Sequence, residues 1–275
     1  MTTTVEAQPT EAPATQAQPA RKRALITGAS SGIGEEFARQ LAERGNDLIL
    51  VARRKDRMET IATEIKAANP VNIEIIEADL STAEGVAATR ARIDQGDISL
   101  LVNNAGFGIN GVFGETPLER ELEELDLNIR ALTILSYAAI QQMKPKRTGT
   151  IINVGSTGSY QPVPYMSTYA ATKAYVLYFS EGLHEEAKHY GVTVTCLCPG
   201  GTRTEFQDVA GVDEKKLPRG SFMGTAPVVK AALDGAKAGS AIVVPGMMNK
   251  ATANLHRVFP RFAVRKIAGR IFKHD

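Results

Sequence analysis

Short apolar runs alternate with amphipathic stretches along most of this chain, and that rhythm limits the fold more than any other feature. The runs fall at 24–27, 48–51, 73–76, 100–103, 150–154, 192–198 and 241–244. Most are continuously apolar rather than alternating, as strands covered on both faces must be. Between them, segments 35–44, 58–68, 118–143 and 169–190 carry apolar residues at three- and four-residue spacing, the pattern of helices packing on a sheet. The reading is an α/β protein: a doubly wound parallel sheet of about seven strands with helices on both faces. The 275 residues suit one such domain, placed at 21–246. A tail at 1–20 and an extension at 247–275 flank it, and no internal repeat or second domain is visible.

The first strand runs into Thr27-Gly28-Ala29-Ser30-Ser31-Gly32-Ile33-Gly34 and then into a helix. Glycines let a backbone turn sharply, approach a pyrophosphate closely and pack helix on strand with no β-carbon between. Free N–H groups at the helix start then meet phosphate charge. Strand, loop and helix in this order make the stretch a Rossmann-type dinucleotide loop rather than a plain turn. The second strand ends in Ala52-Arg53-Arg54-Lys55, where an NAD enzyme places an acid for the ribose 2′-hydroxyl. Guanidinium groups there would pair with a 2′-phosphate. The cofactor expected is therefore NADP(H), with Arg53 the first choice for the phosphate and Arg54 beside it. Asp79 and Leu80, after the third strand, are placed near the adenine.

Asn103-Asn104-Ala105-Gly106 closes the fourth strand with small residues and amides, suited to a backbone lying against the cofactor. Ser156 follows the fifth strand, and Tyr169 and Lys173 stand at i and i+4 on one helix face. A free tyrosine has a pKa of about 10. A neighbouring ammonium lowers it toward the working range, making Tyr169 a usable acid and base. Ser156 could donate to a substrate oxygen as negative charge develops there.

With these motifs the chain resembles the short-chain dehydrogenase/reductase family, in its NADP-preferring branch, from Arg23 to about Val244. The glycine motif is matched at Thr27, Gly28, Gly32 and Gly34, and the Asn-Asn-Ala-Gly motif at Asn103 to Gly106. The active-site asparagine is matched at Asn128, and the serine, tyrosine and lysine at Ser156, Tyr169 and Lys173. Pro199, Gly200, Thr202 and Thr204 match the segment after the sixth strand. The resemblance implies hydride transfer between NADPH and a carbonyl or alcohol, with Tyr169 exchanging the proton and Ser156 holding the oxygen. It further implies that Lys173 binds the nicotinamide ribose and that Asn128 supports a water leading to solvent. The backbone at Val154, Pro199 and Gly200 would bracket the nicotinamide, and a homodimer or homotetramer would form through the two long helices. The alternative function is an NADPH-binding sensor or partner protein with the same fold and little turnover. Such proteins typically lose the tyrosine or lysine, and this chain keeps both.

Substrate preference is less legible. The loop after Ser156 holds Tyr160, Gln161, Pro162, Val163, Pro164 and Tyr165. The segment after Thr204 holds Phe206, Val209, Leu217, Phe222 and Met223, and Phe107 and Ile109 add to the same wall. This mixture predicts an apolar pocket, hence an apolar ketone, aldehyde or acyl-type substrate. Composition excludes other classes. Lys+Arg 32 against Asp+Glu 30 leaves a formal charge of +2, without the basic excess of a nucleic-acid binder. Cys196 and Cys198, at i and i+2 on one apolar run, read as small hydrophobes, and no metal site is expected, since His184, His189 and His256 have no ligand spacing. Residues 1–20 lack the basic and apolar regions of a secretory signal, and no run is long enough to span a bilayer. These readings together place the chain in the cytoplasm, with the tail disordered. The stretch 249–273 mixes seven cations, no acid and many large apolar residues. A stretch of that kind can lie on an anionic membrane or pack along its own domain.

Overall fold

The computed structural model describes residues 21–211 and 222–273. Seven parallel strands form one sheet: β1 (Arg23–Thr27), β2 (Asp47–Ala52), β3 (Ile73–Glu77), β4 (Leu100–Asn103), β5 (Gly149–Val154), β6 (Val192–Leu197) and β7 (Ile242–Val243). Their order is β3-β2-β1-β4-β5-β6-β7, so the chain switches direction between β1 and β4. At such a switch point a crevice opens beyond the carboxyl ends of the strands.

Because successive strand residues face opposite ways, each apolar run feeds two cores. Ile26, Leu50, Val102 and Ile152 face one side, under α1 (Gly32–Glu43), α2 (Lys55–Ala68) and α8 (Thr225–Lys237). Leu25, Ile49, Leu101 and Ile151 face the other, under α3 (Ala83–Ile93), α5 (Leu132–Lys146) and the end of α6 (Ser167–Lys188). Each fully buried Leu or Ile contributes roughly 1.5–3 kcal/mol of transfer free energy. The alternation read from sequence thus marks the double covering of the sheet.

Three differences from the sequence reading have physical causes. The helix expected at 118–143 is α4 (Leu118–Leu125), a π-helical turn (Asp126–Ala131) and then α5; the extra residue in that turn leaves the apolar spacing nearly unchanged. Helix α3 buries only Val86 and Ile93 as aliphatics, beside Gly85, Thr89 and Arg92, so it carries little apolar periodicity. The last strand shrinks to two half-buried residues at the sheet edge. Beyond it lie α9 (Met247–Val258) and α10 (Arg261–Phe272), with α7 (Phe206–Ala210) earlier in the chain. Asn249 of α9 is buried beside Gly200, so the C-terminal extension packs on the domain. The expected N-terminal tail, 1–20, and Leu217 lie outside the described residues.

Candidate active site

The turn after β1 is built as the glycine pattern requires. Gly28 and Gly32 hold φ of 65° and 59°, values that cost an L residue energy and glycine little. A β-carbon on Gly34 would fall 2.2 Å from the Gly28 carbonyl oxygen, so only glycine lets α1 sit this close to the loop. Thr27 Oγ1 accepts from the N–H groups of Asn104 and Ala105, both at 3.0 Å. Asn104 Nδ2 returns hydrogen bonds to the carbonyls of Thr27 (2.9 Å) and Gly28 (3.2 Å). These four bonds tie the ends of β1 and β4 into one rim. Ser30 is buried at that rim, while Ile33 packs into the core behind it.

The basic strand end divides its labour differently from the expectation. Arg53, the first choice for the phosphate, points outward with its side chain 71% exposed and meets Asp79 at 3.8 Å. Arg54 instead turns onto the glycine loop, donating to Ser30 Oγ (3.2 Å) and Ser31 Oγ (2.8 Å). It also meets Glu205 at 2.8 Å, and Arg57 meets the other oxygen of Glu205 at 2.5 Å. Arg57 and Glu205 were not singled out from sequence, although Arg57 stands one helical turn beyond Arg53. Burial pushes the Asp79 carboxyl up, but two hydrogen bonds from Ser81 and the Arg53 charge outweigh it and hold the group low. The Leu80 side chain is buried in the core. A positive-φ loop, a β-carbon-free cradle and guanidinium groups at its edge fit a dinucleotide bearing a 2′-phosphate.

The other end of the crevice brings together the residues expected to be catalytic. Asn128 lies in the π turn, 1% exposed. Its Nδ2 donates to the Phe107 carbonyl (2.8 Å) and Thr172 Oγ1 (3.1 Å), and its Oδ1 accepts from the Phe107 N–H. A π-helical turn of this kind re-aims one side chain out of helical register and often marks a functional position. A β-carbon on Gly106 would meet both Asn128 Oδ1 (2.8 Å) and Lys173 Nζ (3.3 Å), so these two groups converge on Gly106. Lys173 is buried and donates to the Val154 carbonyl at 2.8 Å. Ser156 caps the short 3₁₀ turn Thr157–Tyr160, accepting from the Gly158 N–H, and its hydroxyl lies near enough to Tyr169 to draw the phenol's pKa down. The strap after β6 closes the crevice. The Pro199 carbonyl accepts from Thr157 N–H, Thr202 Oγ1 donates to the Gly200 carbonyl, and Thr204 sits against Gly32.

Electrostatics correct one expectation. Lys173 Nζ lies 5.8 Å from the Tyr169 ring centroid, committed to Val154, and does not set the phenol's pKa. Burial dominates and pushes Tyr169 up to about 12, with the Ser156 hydroxyl pulling the other way. Burial also brings Lys173 down to about 8. Nearby, Glu124 is fully buried with both carboxyl oxygens lacking a hydrogen-bond partner among the described residues. Burial, reinforced by Glu121, raises it to about 8, and the charge of Lys173 opposes this. Glu124 went unnoticed in the sequence because it reads as one more acid in an acidic helix.

Beside Tyr169 lies an apolar wall of Val163, Met166, Ala170 and Ala210, packed with Phe206 and Phe272. The Tyr169 and Phe206 rings are 5.3 Å apart. Tyr160 was expected in this wall but packs beside Cys196 and Cys198, whose Sγ atoms lie 3.6 Å apart in the core. Its phenol is a partner for Cys198 there. Val209 is 60% exposed, and Phe107 lies under Arg120. Phe272 comes from α10, far along the chain from the two loops expected to form the pocket. Among the described residues no group of His, Cys, Asp or Glu is arranged to hold a metal.

A glycine cradle at the switch point, with a half-buried Ser156 and Tyr169 and a buried Lys173 beyond it, defines a dinucleotide-binding α/β protein. The short chain dehydrogenase family model matches residues 22–215, and the chain belongs to that family. It is 32% identical over 196 residues to hydroxysteroid dehydrogenase-like protein 1 of Gallus gallus, covering 70% of this chain and 59% of that protein. It is 34% identical over 201 residues to a very-long-chain 3-oxoacyl-CoA reductase-like protein of Arabidopsis thaliana, covering 70% of this chain and 64% of the other. The chain thus matches less than two thirds of these relatives' length. Among solved structures, a short-chain dehydrogenase from Sphingobium yanoikuyae in complex with NADPH superposes with a TM-score of 0.80 at 36% identity, covering 86% of this chain and 92% of that one. The bulky-bulky ketone specific alcohol dehydrogenase from Comamonas testosteroni follows at 0.74 and 32% identity, covering 87% and 95%.

Proposed function

We propose that this protein is an NADPH-dependent reductase of apolar ketones or long acyl-type carbonyls. The observation that carries the reading is the half-buried Tyr169, its phenol within the influence of the Ser156 hydroxyl beside an apolar wall, with a cradle edged by Arg54 and Arg57 at the other end of the crevice. When bound, NADPH supplies a hydride to the substrate carbon. Tyr169, protonated throughout the neutral range, gives its proton to the substrate oxygen. Ser156 donates a second hydrogen bond to that oxygen as charge develops. Lys173, fixed by Val154, contributes positive charge beneath the site, and Asn128 holds the Phe107 backbone and α6 in register through Thr172. A phenol that keeps its proton favours reduction over alcohol oxidation. The relatives named for 3-oxoacyl-CoA reduction and for bulky-bulky ketones support a long or bulky apolar substrate. Exposed Tyr137 on α5 and Tyr178 on α6 support pairing of two copies through these helices.

The test is NADPH oxidation with a panel of bulky ketones and 3-oxoacyl thioesters, run beside Tyr169→Phe. Wild type should turn over at least one of them, and the variant should lose about 10²–10⁴ in kcat while binding NADPH unchanged. Equal rates from the two proteins would refute the assignment of Tyr169.

A further inference from the structure

We propose that the α9–α10 hairpin seats the protein on an anionic lipid surface. From residue 235 to residue 274 the chain has no acidic side chain. The hairpin tip reads Arg257-Val258-Phe259-Pro260-Arg261-Phe262, and Val258, Phe259 and Phe262 are 79%, 50% and 59% exposed. Further along α10, Phe262, Lys266 and Arg270 recur every four residues and share one outward stripe. Among the described residues, none of Arg257, Arg261, Arg265 and Lys266 has a carboxylate partner, while cations elsewhere on the surface pair freely.

The inner face of α10 is already occupied. Val264 and Ala268 are buried, Gly269 backs Pro164, and Phe272 packs beside Met166 and Phe206. The exposed tip is therefore not awaiting closure onto its own domain. A second copy is a poor occupant, because a two-fold contact would set the same unpaired cations against themselves. Headgroup phosphates complement them, and the phenylalanines fit the boundary between headgroups and acyl chains. Each helix has 12 residues, and no helix among the described residues is long and apolar enough to cross a membrane. The geometry is that of a protein lying on the bilayer.

The experiment is co-sedimentation of the full chain with vesicles of phosphatidylcholine alone and of equal parts phosphatidylcholine and phosphatidylglycerol. Binding is expected only to the mixed vesicles and should weaken as salt rises. Arg257→Gln with Arg261→Gln should reduce partitioning roughly thirtyfold, a factor of about five per cation. Phe259→Ser with Phe262→Ser should reduce it on the order of tenfold. All these side chains are exposed, so both variants should keep the wild-type melting temperature. Absence of binding, equal binding to both vesicles, or indifference to either pair of substitutions would overturn the proposal. So would a dimer in solution that dissociates in the phenylalanine variant while vesicles stay unbound.

Discussion

At Tyr169 and Lys173 burial acts on two groups in opposite senses. It holds the proton on the phenol and loosens the proton on the amine. In the neutral range the phenol is a loaded acid, and the ammonium beneath it survives only below about pH 8. The rate of ketone reduction should therefore fall as pH rises through about 8, and Lys173→Arg should remove or raise that limb in a kcat/KM profile. A limb that stays in place in Lys173→Arg would assign it elsewhere. Glu124 gives a stability prediction. Its folded-state pKa, about 8, lies above the ordinary 4.5, so the folded protein keeps this proton longer than the unfolded chain does. The associated stability is complete below 4.5 and is lost as pH rises through about 8. Glu124→Gln should flatten that decline and gain about 2–4 kcal/mol at the alkaline end, measured by denaturant unfolding across pH. Parallel curves for the two proteins would show that the buried carboxyl is satisfied by other means.

Elements meet at the Thr27 hydroxyl, which accepts two backbone N–H groups from the end of β4. Thr27→Val keeps the shape and removes the acceptor. Two part-buried donors left unpaired should cost about 1 kcal/mol each, seen in the unfolding midpoint, and NADPH affinity should fall with the loosened rim. At this scale much was legible beforehand. All seven strands (the last shorter than its apolar run), the glycine loop and the i, i+4 relation of Tyr169 and Lys173 rest on local patterns that tertiary packing did not override. What stayed hidden depends on distance in sequence. Arg54 reaches Ser30 across 24 residues, Glu205 reaches Arg57 across 148, and Phe272 joins a wall begun at Val163. No spacing rule links such pairs. The π turn at Asn128 was invisible for another reason, since one extra residue in a long helix barely disturbs its apolar stripe.

The whole molecule is organised about the crevice at the β1–β4 switch, with the cradle on one side and the apolar wall on the other. The strap from Pro199 to Phe206 touches both. Glu205 lies between the guanidinium groups of Arg54 and Arg57, and the ring of its neighbour Phe206 packs at a tilt against Tyr169. A 2′-phosphate arriving at those arginines enters an exchange reaction, in which a tethered carboxylate is traded for an incoming anion. The preference for NADPH over NADH is then smaller than two bare arginines would give, because the carboxylate must first be released. Glu205→Gln should tighten NADPH several-fold and leave NADH nearly unchanged, by fluorescence titration of both nucleotides. A matching gain for NADH would remove the exchange. Glu205 and Phe206 are adjacent in the chain, so a shift of the carboxylate on nucleotide binding would be carried to the ring beside Tyr169, and the substrate wall would take its final shape only with the nucleotide in place.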